Sequence, residues 1–209
     1  MKRMRIMGLS LVAVFAMSAL VAGSASAATT LKLSTTGKGL LPAGANLVAS
    51  SSDLVFVTSA GNLECSSNVL TGTLTTNSAS KDKGSITAES STGEEGGGAC
   101  HTTTVLGAAL IESGGFPWPT EFTTKGTSTV KGSKKVKFTS TFPAAGGAKC
   151  IFEAAKDLST FKVGGAIELT TTKQLFKLGK GSNAACPKSG ELSGHFTVTS
   201  GGEAVNSSL

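Results

Sequence analysis

A two-residue spacing of apolar side chains is the feature that most restricts how this chain can fold. Residues 134–142 and 191–200 each alternate an apolar face with a polar face. Successive side chains of a strand point to opposite sides of a sheet, so this spacing predicts strands with one face in a core. The predicted inward side chains are Val136, Phe138, Phe142, Leu192, Phe196 and Val198.

Further short segments of this kind are separated by glycine-rich turns, which is typical of all-β proteins. They lie at 31–35, 46–50, 53–58, 69–76, 84–89, 100–106, 120–124, 165–172 and 174–178. The predicted fold is a Gly/Thr-rich antiparallel β-sandwich, or a partly open barrel, of about ten short strands. Residues 53–58 are apolar on both faces and predict a central strand, whereas 150–161 approach helical spacing and allow at most one short helix.

The four cysteines predict two disulfides, since the chain has no C-x-x-C pair that would indicate a redox or zinc site. Three pairings satisfy this count. Sequential pairing, Cys65 with Cys100 and Cys150 with Cys186, closes two loops of nearly equal length and is preferred. In the loop-entropy description each such bond stabilises the fold by roughly 3–4 kcal/mol.

The N-terminal segment has the pattern of a secretory signal peptide. Lys2, Arg3 and Arg5 precede an apolar run at 7–21, and residues 25–27 supply the small residues of a cleavage site. The run is shorter than a membrane span needs. We therefore expect cleavage after Ala27, secretion of a single β domain at 28–209, and no retained membrane anchor.

Cleavage at this point changes what the positive charge implies. The formal charge of +6 includes Lys2, Arg3 and Arg5, so residues 28–209 keep sixteen lysines against thirteen acids and contain no arginine. Arginine supplies most bidentate contacts to phosphates and bases. A nucleic acid is therefore not expected as a partner.

No catalytic, cofactor or metal site is predicted, and we expect a non-enzymatic protein. The only histidines are His101 and His195, and neither belongs to a recognisable triad or nucleophile motif. His195 falls on the polar face of its strand. His101, with Glu94 and Glu95 nearby, offers only a weak metal-site pattern because those glutamates lie in a glycine loop.

Two features suggest interaction surfaces. The lysines Lys131, Lys134, Lys135 and Lys137 lie in a predicted hairpin with residues 132–133 at its turn, and they could bind an anionic cell-wall polymer or another surface protein. Lysines also protect sheet edges from association, which is the competing interpretation.

The second feature is GGFPWPTEF at 114–122, which contains the only tryptophan. The flanking prolines stiffen the backbone around Trp118. Phe116, Trp118 and Phe122 are candidates to line a ligand cleft, and a structural role, in which the indole closes one end of the fold, is the alternative.

The chain resembles a broad group of secreted, uncharacterised, disulfide-containing β proteins of high-GC Gram-positive bacteria. The resemblance rests on the signal peptide, LECSSNVLTGTLTT at 64–76, FPW at 116–118 and the late cysteine before the final strand. The group implies no activity. Our first hypothesis is a secreted surface, matrix or interaction module, and the alternatives are an extracellular carrier of a small apolar ligand near Trp118 and a secreted hydrolase.

Overall fold

Antiparallel strands make up most of the chain in the computed structural model, which describes residues 30–77, 81–93, 99–103, 106–130, 136–154 and 159–209. The strands are β1 (Lys32–Thr35), β2 (Gly39–Leu40), β3 (Asn46–Ser51), β4 (Leu54–Thr58), β5 (Gly61–Cys65), β6 (Ser67–Thr76), β7 (Lys81–Thr92), β8 (His101–Thr102), β9 (Leu110–Gly114), β10 (Trp118–Thr123), β11 (Thr127–Val130), β12 (Lys137–Phe142), β13 (Ala148–Ala154), β14 (Ser159–Thr160), β15 (Gly165–Ala166), β16 (Glu168–Leu178), β17 (Ser189–Ser200) and β18 (Glu203–Ser208). The described helical structure is one 3-10 turn at Pro143–Ala145. The prediction of an all-β fold is confirmed.

Eight of these strands form a closed antiparallel barrel. Their order is β3–β6–β7–β10–β11–β14–β16–β17, and β17 pairs again with β3. Closure gives every strand a neighbour on both sides, so no edge of this sheet is left open to pair with another chain. Of the two arrangements that the sequence allows, the barrel is the one adopted, and it is closed rather than partly open.

The strands β16 and β17 extend beyond the barrel and continue into a second sheet. The order of the second sheet is β9–β12–β13–β16–β17–β4–β5–β8. Its two ends meet at a single bridge, where Cys100 and Ala109 exchange backbone hydrogen bonds of 2.7 and 3.0 Å. The second sheet is therefore curled into a ring that one residue pair closes.

Both predicted disulfides are confirmed, with sequential pairing. Cys65–Cys100 joins β5 to the bridge that closes the second sheet, and its Cα atoms are 4.6 Å apart. Cys150–Cys186 joins β13 to the loop before β17, with 5.6 Å between Cα atoms. The bonds span 35 and 36 positions. Both covalent links therefore lie in the second sheet.

Two separate clusters of buried side chains form the core. Inside the second sheet lies the phenylalanine cluster: Phe56, Phe138, Phe142, Phe152 and Phe176 with both disulfides. At the far end of the barrel lies the aliphatic cluster: Leu31, Leu33, Leu41, Leu47, Leu74, Phe122, Phe161, Ile167, Val198 and Val205. The strands β1, β2, β15 and β18 form a small sheet that covers that end of the barrel.

Predicted inward residues have the expected positions where the structure describes them. Phe138 and Phe142 on β12, and Phe196 and Val198 on β17, are buried, and Leu192 packs against the phenylalanine cluster. The strand at 53–58 does have neighbours on both sides. This confirms β4 as a central strand, although one of its apolar side chains, Val57, is 46% exposed.

Two local patterns do not give the structures that they suggest. The helical spacing at 150–161 does not produce a helix over its described part, because residues up to Ala154 belong to β13, which pairs with β12 and β16. The predicted lysine hairpin also does not form, since β11 pairs with β10 and β14 while β12 pairs with β13 and β9. In both cases long-range pairing overrides the local pattern.

Candidate functional site

A cavity of about 170 Å³ lies beside the phenylalanine cluster, where the barrel meets the second sheet. Its described walls are mainly apolar. The aromatic side chains that line it are Phe56, Trp118, Phe138, Phe176 and Phe196, and aliphatic ones include Leu70, Ile86, Leu169 and Leu192. Leu169 also packs against the aliphatic cluster, so the cavity extends from one core toward the other.

Small hydroxyl residues on the inner face of the barrel account for the empty space. Side chains normally just fill the interior of an eight-stranded barrel. Here Thr120, Ser128, Ser159 and Thr171 line the cavity, and their side chains are short. Ser159 and Thr171 are joined by a hydroxyl–hydroxyl hydrogen bond of 2.7 Å, and the Thr120 hydroxyl donates to a main-chain carbonyl at 3.2 Å.

Trp118 is both buried and part of the cavity wall. Trp118 is the first residue of β10 and is only 3% exposed. Its indole N–H donates to the Gly114 carbonyl at 3.1 Å. The Phe116 ring stacks on the indole with 4.3 Å between ring centroids. The indole is therefore fixed by a hydrogen bond and a stacked ring while it also lines the cavity.

The three aromatic residues predicted to line one cleft have different positions. Of these, Trp118 lines the cavity. Phe116 is half-buried and packs on Trp118. Phe122 belongs to the aliphatic cluster, where its ring meets that of Phe161 at 6.2 Å.

A polar group interrupts the apolar wall. Asn68 on β6 donates from its amide nitrogen to Glu89 Oε1 and to Ser91 Oγ on β7, both at 2.5 Å. The Ser91 hydroxyl donates to the same Glu89 oxygen. All three residues line the cavity, and Asn68 is 5% exposed. We call these residues the Asn68–Glu89–Ser91 group.

No family model, no curated protein and no solved structure matches the chain. Any assignment of function therefore rests on the geometry of this chain alone.

Sequence reasoning missed the Asn68–Glu89–Ser91 group because a β-bulge changes the alternation of β7. Gly72 of β6 is opposite Ile86, whereas the preceding residue of β6 is opposite Ala88, so Thr87 is an extra residue. Ile86 and Glu89 consequently both line the cavity although they are three positions apart. A strict two-residue period would place them on opposite faces.

Gly72 is the one local signal of this bulge in the sequence. A Cβ atom at this position would lie 2.4 Å from the main-chain oxygen of Ser85, a contact that real Cβ atoms do not make. A glycine inside a strand pattern often marks such a close approach.

The predicted lysine surface is described only at Lys137. This residue lies on β12, is half-buried, and has Glu153 of β13 and Gly114 of β9 as its register partners. Lys131, Lys134 and Lys135 lie outside the described residues. A lysine surface at this place stays a prediction.

Both histidines lie on strands. The Nδ1–H of His195 donates to Asp53 Oδ2 at 2.6 Å, its backbone N–H donates to Asp53 Oδ1 at 2.9 Å, and both side chains are more than half exposed. The Ser51 hydroxyl donates to Asp53 rather than to the histidine. The hydrogen bond from the His195 side chain is the main cause that lowers the pKa of Asp53 below its usual value of 3.8.

The Asp53–His195 pair has the aspartate and histidine of a catalytic triad without the nucleophile. In the described part of the chain no serine hydroxyl is hydrogen-bonded to His195. His101 lies on β8, opposite Glu64, and Glu94 and Glu95 lie outside the described residues. Among the residues with described positions, no group of three or more histidine, cysteine or acidic side chains could bind a metal ion.

The predicted signal peptide at 1–27 also lies outside the described residues. Over the portion that is described, no helix has the length and hydropathy to cross a membrane.

Proposed function

We propose that this protein binds a small, mainly apolar molecule in the cavity that Trp118 lines. The observation that supports the proposal is a cavity of about 170 Å³ with five aromatic side chains in its described wall. Well-packed cores have few voids larger than a water molecule, since each void loses packing contacts. An apolar ligand would restore those contacts, because apolar cavities stay dry and accept molecules such as benzene.

The volume limits the size of the ligand. A cavity of about 150 Å³ accepts benzene, whereas drug-sized ligands occupy pockets of about 300–1,000 Å³. A cavity of about 170 Å³ therefore suits one ring with a short substituent. This makes a small aromatic or branched aliphatic molecule a better candidate than a lipid or an oligosaccharide.

The predicted signal peptide and the two disulfides favour an extracellular place of action, because disulfides persist in oxidising compartments. We therefore propose a secreted, non-enzymatic carrier or sensor of this ligand. A surface, matrix or interaction module remains the second hypothesis. It depends on Lys131, Lys134 and Lys135, for which no geometry is described.

Bromobenzene tests the proposal directly, because its heavy atom quenches indole fluorescence on contact and Trp118 is the only tryptophan. We expect saturable quenching of Trp118 fluorescence in a protein of residues 28–209. We also expect stabilisation by about 1.4 kcal/mol when the free ligand is at ten times its Kd. Both effects are measured in one titration series, by fluorescence and by urea unfolding.

A cavity-filling substitution provides the matched control. Ser128 lines the cavity and is 7% exposed, so Ser128→Leu should fill part of the space and abolish saturable quenching. Ser90→Leu makes the same change at an exposed position of β7 and should leave binding unchanged. If bromobenzene neither quenches nor stabilises the wild-type protein, the proposed function is wrong.

A further inference from the structure

The described cavity wall contains one ionisable side chain, Glu89, among apolar and neutral polar residues. We propose that the ligand carries a protonated amine and that the Asn68–Glu89–Ser91 group binds it. This inference rests on the proposed function and makes it more specific, because it names the chemical class of ligand: a small aromatic or aliphatic amine rather than a neutral hydrocarbon or an acid.

The hydrogen bonds within the group leave acceptors available for a ligand. The Asn68 amide and the Ser91 hydroxyl both donate to Oε1 of Glu89. Neither of these bonds uses Oε2, and no hydrogen bond to Oε2 is found within the described chain. The carboxylate thus keeps one oxygen for a donor supplied by a ligand, and hydrogen bonds to a charged acceptor are the stronger kind.

The orientation of Asn68 points to the same chemistry. A carboxylate only accepts hydrogen bonds, so the amide nitrogen of Asn68, and not its oxygen, has to face Glu89. This leaves Oδ1 as a further acceptor, and in the described residues it has no hydrogen-bond partner. A positively charged donor suits both free oxygens, whereas an anionic ligand would meet acceptors only.

The remaining wall also favours a cation over an anion. No lysine, arginine or histidine is among the described residues that line the cavity, although the chain as a whole is positively charged. The faces of tryptophan and phenylalanine rings attract ammonium groups, and Trp118 is part of the wall. Glu89 is half-buried rather than sealed, which lowers the cost of bringing a charged group next to it.

Two ligands of nearly equal shape separate charge recognition from apolar binding. Each of them, benzylamine and ethylbenzene, is titrated against bromobenzene bound to a protein of residues 28–209. The displacement of bromobenzene is measured as the recovery of Trp118 fluorescence. We expect Glu89→Gln to weaken benzylamine binding about tenfold and to change ethylbenzene binding by less than twofold. Glu191→Gln removes an exposed charge on β17 and should change neither ligand.

A comparison on the wild-type protein avoids any effect of substitution on folding. Phenylacetate is close in size to benzylamine but carries the opposite charge, and we expect it to bind at least about tenfold more weakly than benzylamine. Equal binding of these two ligands, or an unchanged benzylamine affinity in Glu89→Gln with ethylbenzene still bound, overturns the amine assignment and leaves the proposed function intact. If none of benzylamine, ethylbenzene and bromobenzene binds, the amine assignment and the proposed function are both wrong.

Discussion

The two rings of this protein are closed in different ways. The barrel, which contains the aliphatic cluster, is closed by strand pairing all round, and its shortest described pairing is that of Thr160 with Thr170 between β14 and β16. The second sheet, which contains the phenylalanine cluster, is closed by one bridge between Cys100 and Ala109. Both disulfides lie in the second sheet. Both rings therefore contain a step of one described residue pair, but only the closing bridge of the second sheet includes a disulfide cysteine, Cys100.

The energies show what the disulfide adds at the closing bridge. A bridge with two backbone hydrogen bonds contributes about 1–3 kcal/mol net. A disulfide that closes a loop of about 36 residues contributes roughly 4 kcal/mol in the loop-entropy description. Cys100 takes part in both interactions, so Cys65–Cys100 fixes one side of the bridge to β5. The ring closure therefore depends more on the covalent bond than on the ladder.

The largest effect is expected from removal of the disulfides one at a time. Because they span 35 and 36 positions, the loop-entropy contribution of each is nearly the same, roughly 4 kcal/mol. We expect the variant with Cys65→Ala and Cys100→Ala to lose more unfolding free energy than the variant with Cys150→Ala and Cys186→Ala. The difference should be about 1–2 kcal/mol, because the first variant also weakens the closing bridge. Urea unfolding measures the difference.

Amide hydrogen exchange localises the effect of the first pair of substitutions. Exchange at Ala109, whose N–H donates to the Cys100 carbonyl, should accelerate more than exchange in β6 of the barrel. Equal losses of stability with Ala109 still protected would show that the bridge closes the ring without help from the disulfide.

A smaller effect on stability is expected at Gly190, where the main chain packs against the Phe56 ring in the phenylalanine cluster. A Cβ atom on Gly190 would lie 2.3 Å from the Phe56 ring, so Gly190→Ala has to displace that ring. We expect a loss of about 1–3 kcal/mol by thermal or urea unfolding. Gly114→Ala on β9 is the control, since a Cβ atom there meets nothing within 4 Å. A neutral Gly190→Ala would show that this cluster is loosely packed.

The smallest effect is expected at the Asp53–His195 pair, near the point where β17 changes partner from β3 to β4. The folded state lowers the pKa of Asp53, mainly through the hydrogen bond from the His195 side chain. The stabilisation is therefore complete above the usual value of 3.8 and is lost as the pH falls through the lower folded value. Both groups are exposed, which limits the effect to less than about 1 kcal/mol.

Urea unfolding of the wild-type protein and of Asp53→Asn over a pH series tests this last prediction. The difference in unfolding free energy between the two proteins should disappear at low pH and be constant above the usual aspartate pKa. A difference that persists in strong acid would mean that Asp53 stabilises the junction through its shape and not through its charge.

Much of the fold follows from local patterns. The strands β12 and β17 have the inward residues that their spacing predicts, and near-equal loop lengths favoured the observed disulfides. The sequence allows Trp118 either a buried structural place or a place in a cleft, and in the structure the side chain is buried and also lines the cavity. The cavity wall was much less predictable, because Glu89 faces the cavity only through the bulge opposite Gly72.

The sequence alone determined that the chain forms strands, because alternation is a property of the chain itself, and it favoured one of the three possible cysteine pairings. Tertiary structure decided which strands are neighbours: β11 and β12 are consecutive, yet they pair with different partners. It also decided that two rings share β16 and β17 and leave a cavity where they meet. The physical reason is that a two-residue period specifies which side of a strand is buried, whereas the partner of that strand depends on packing between residues far apart in the chain.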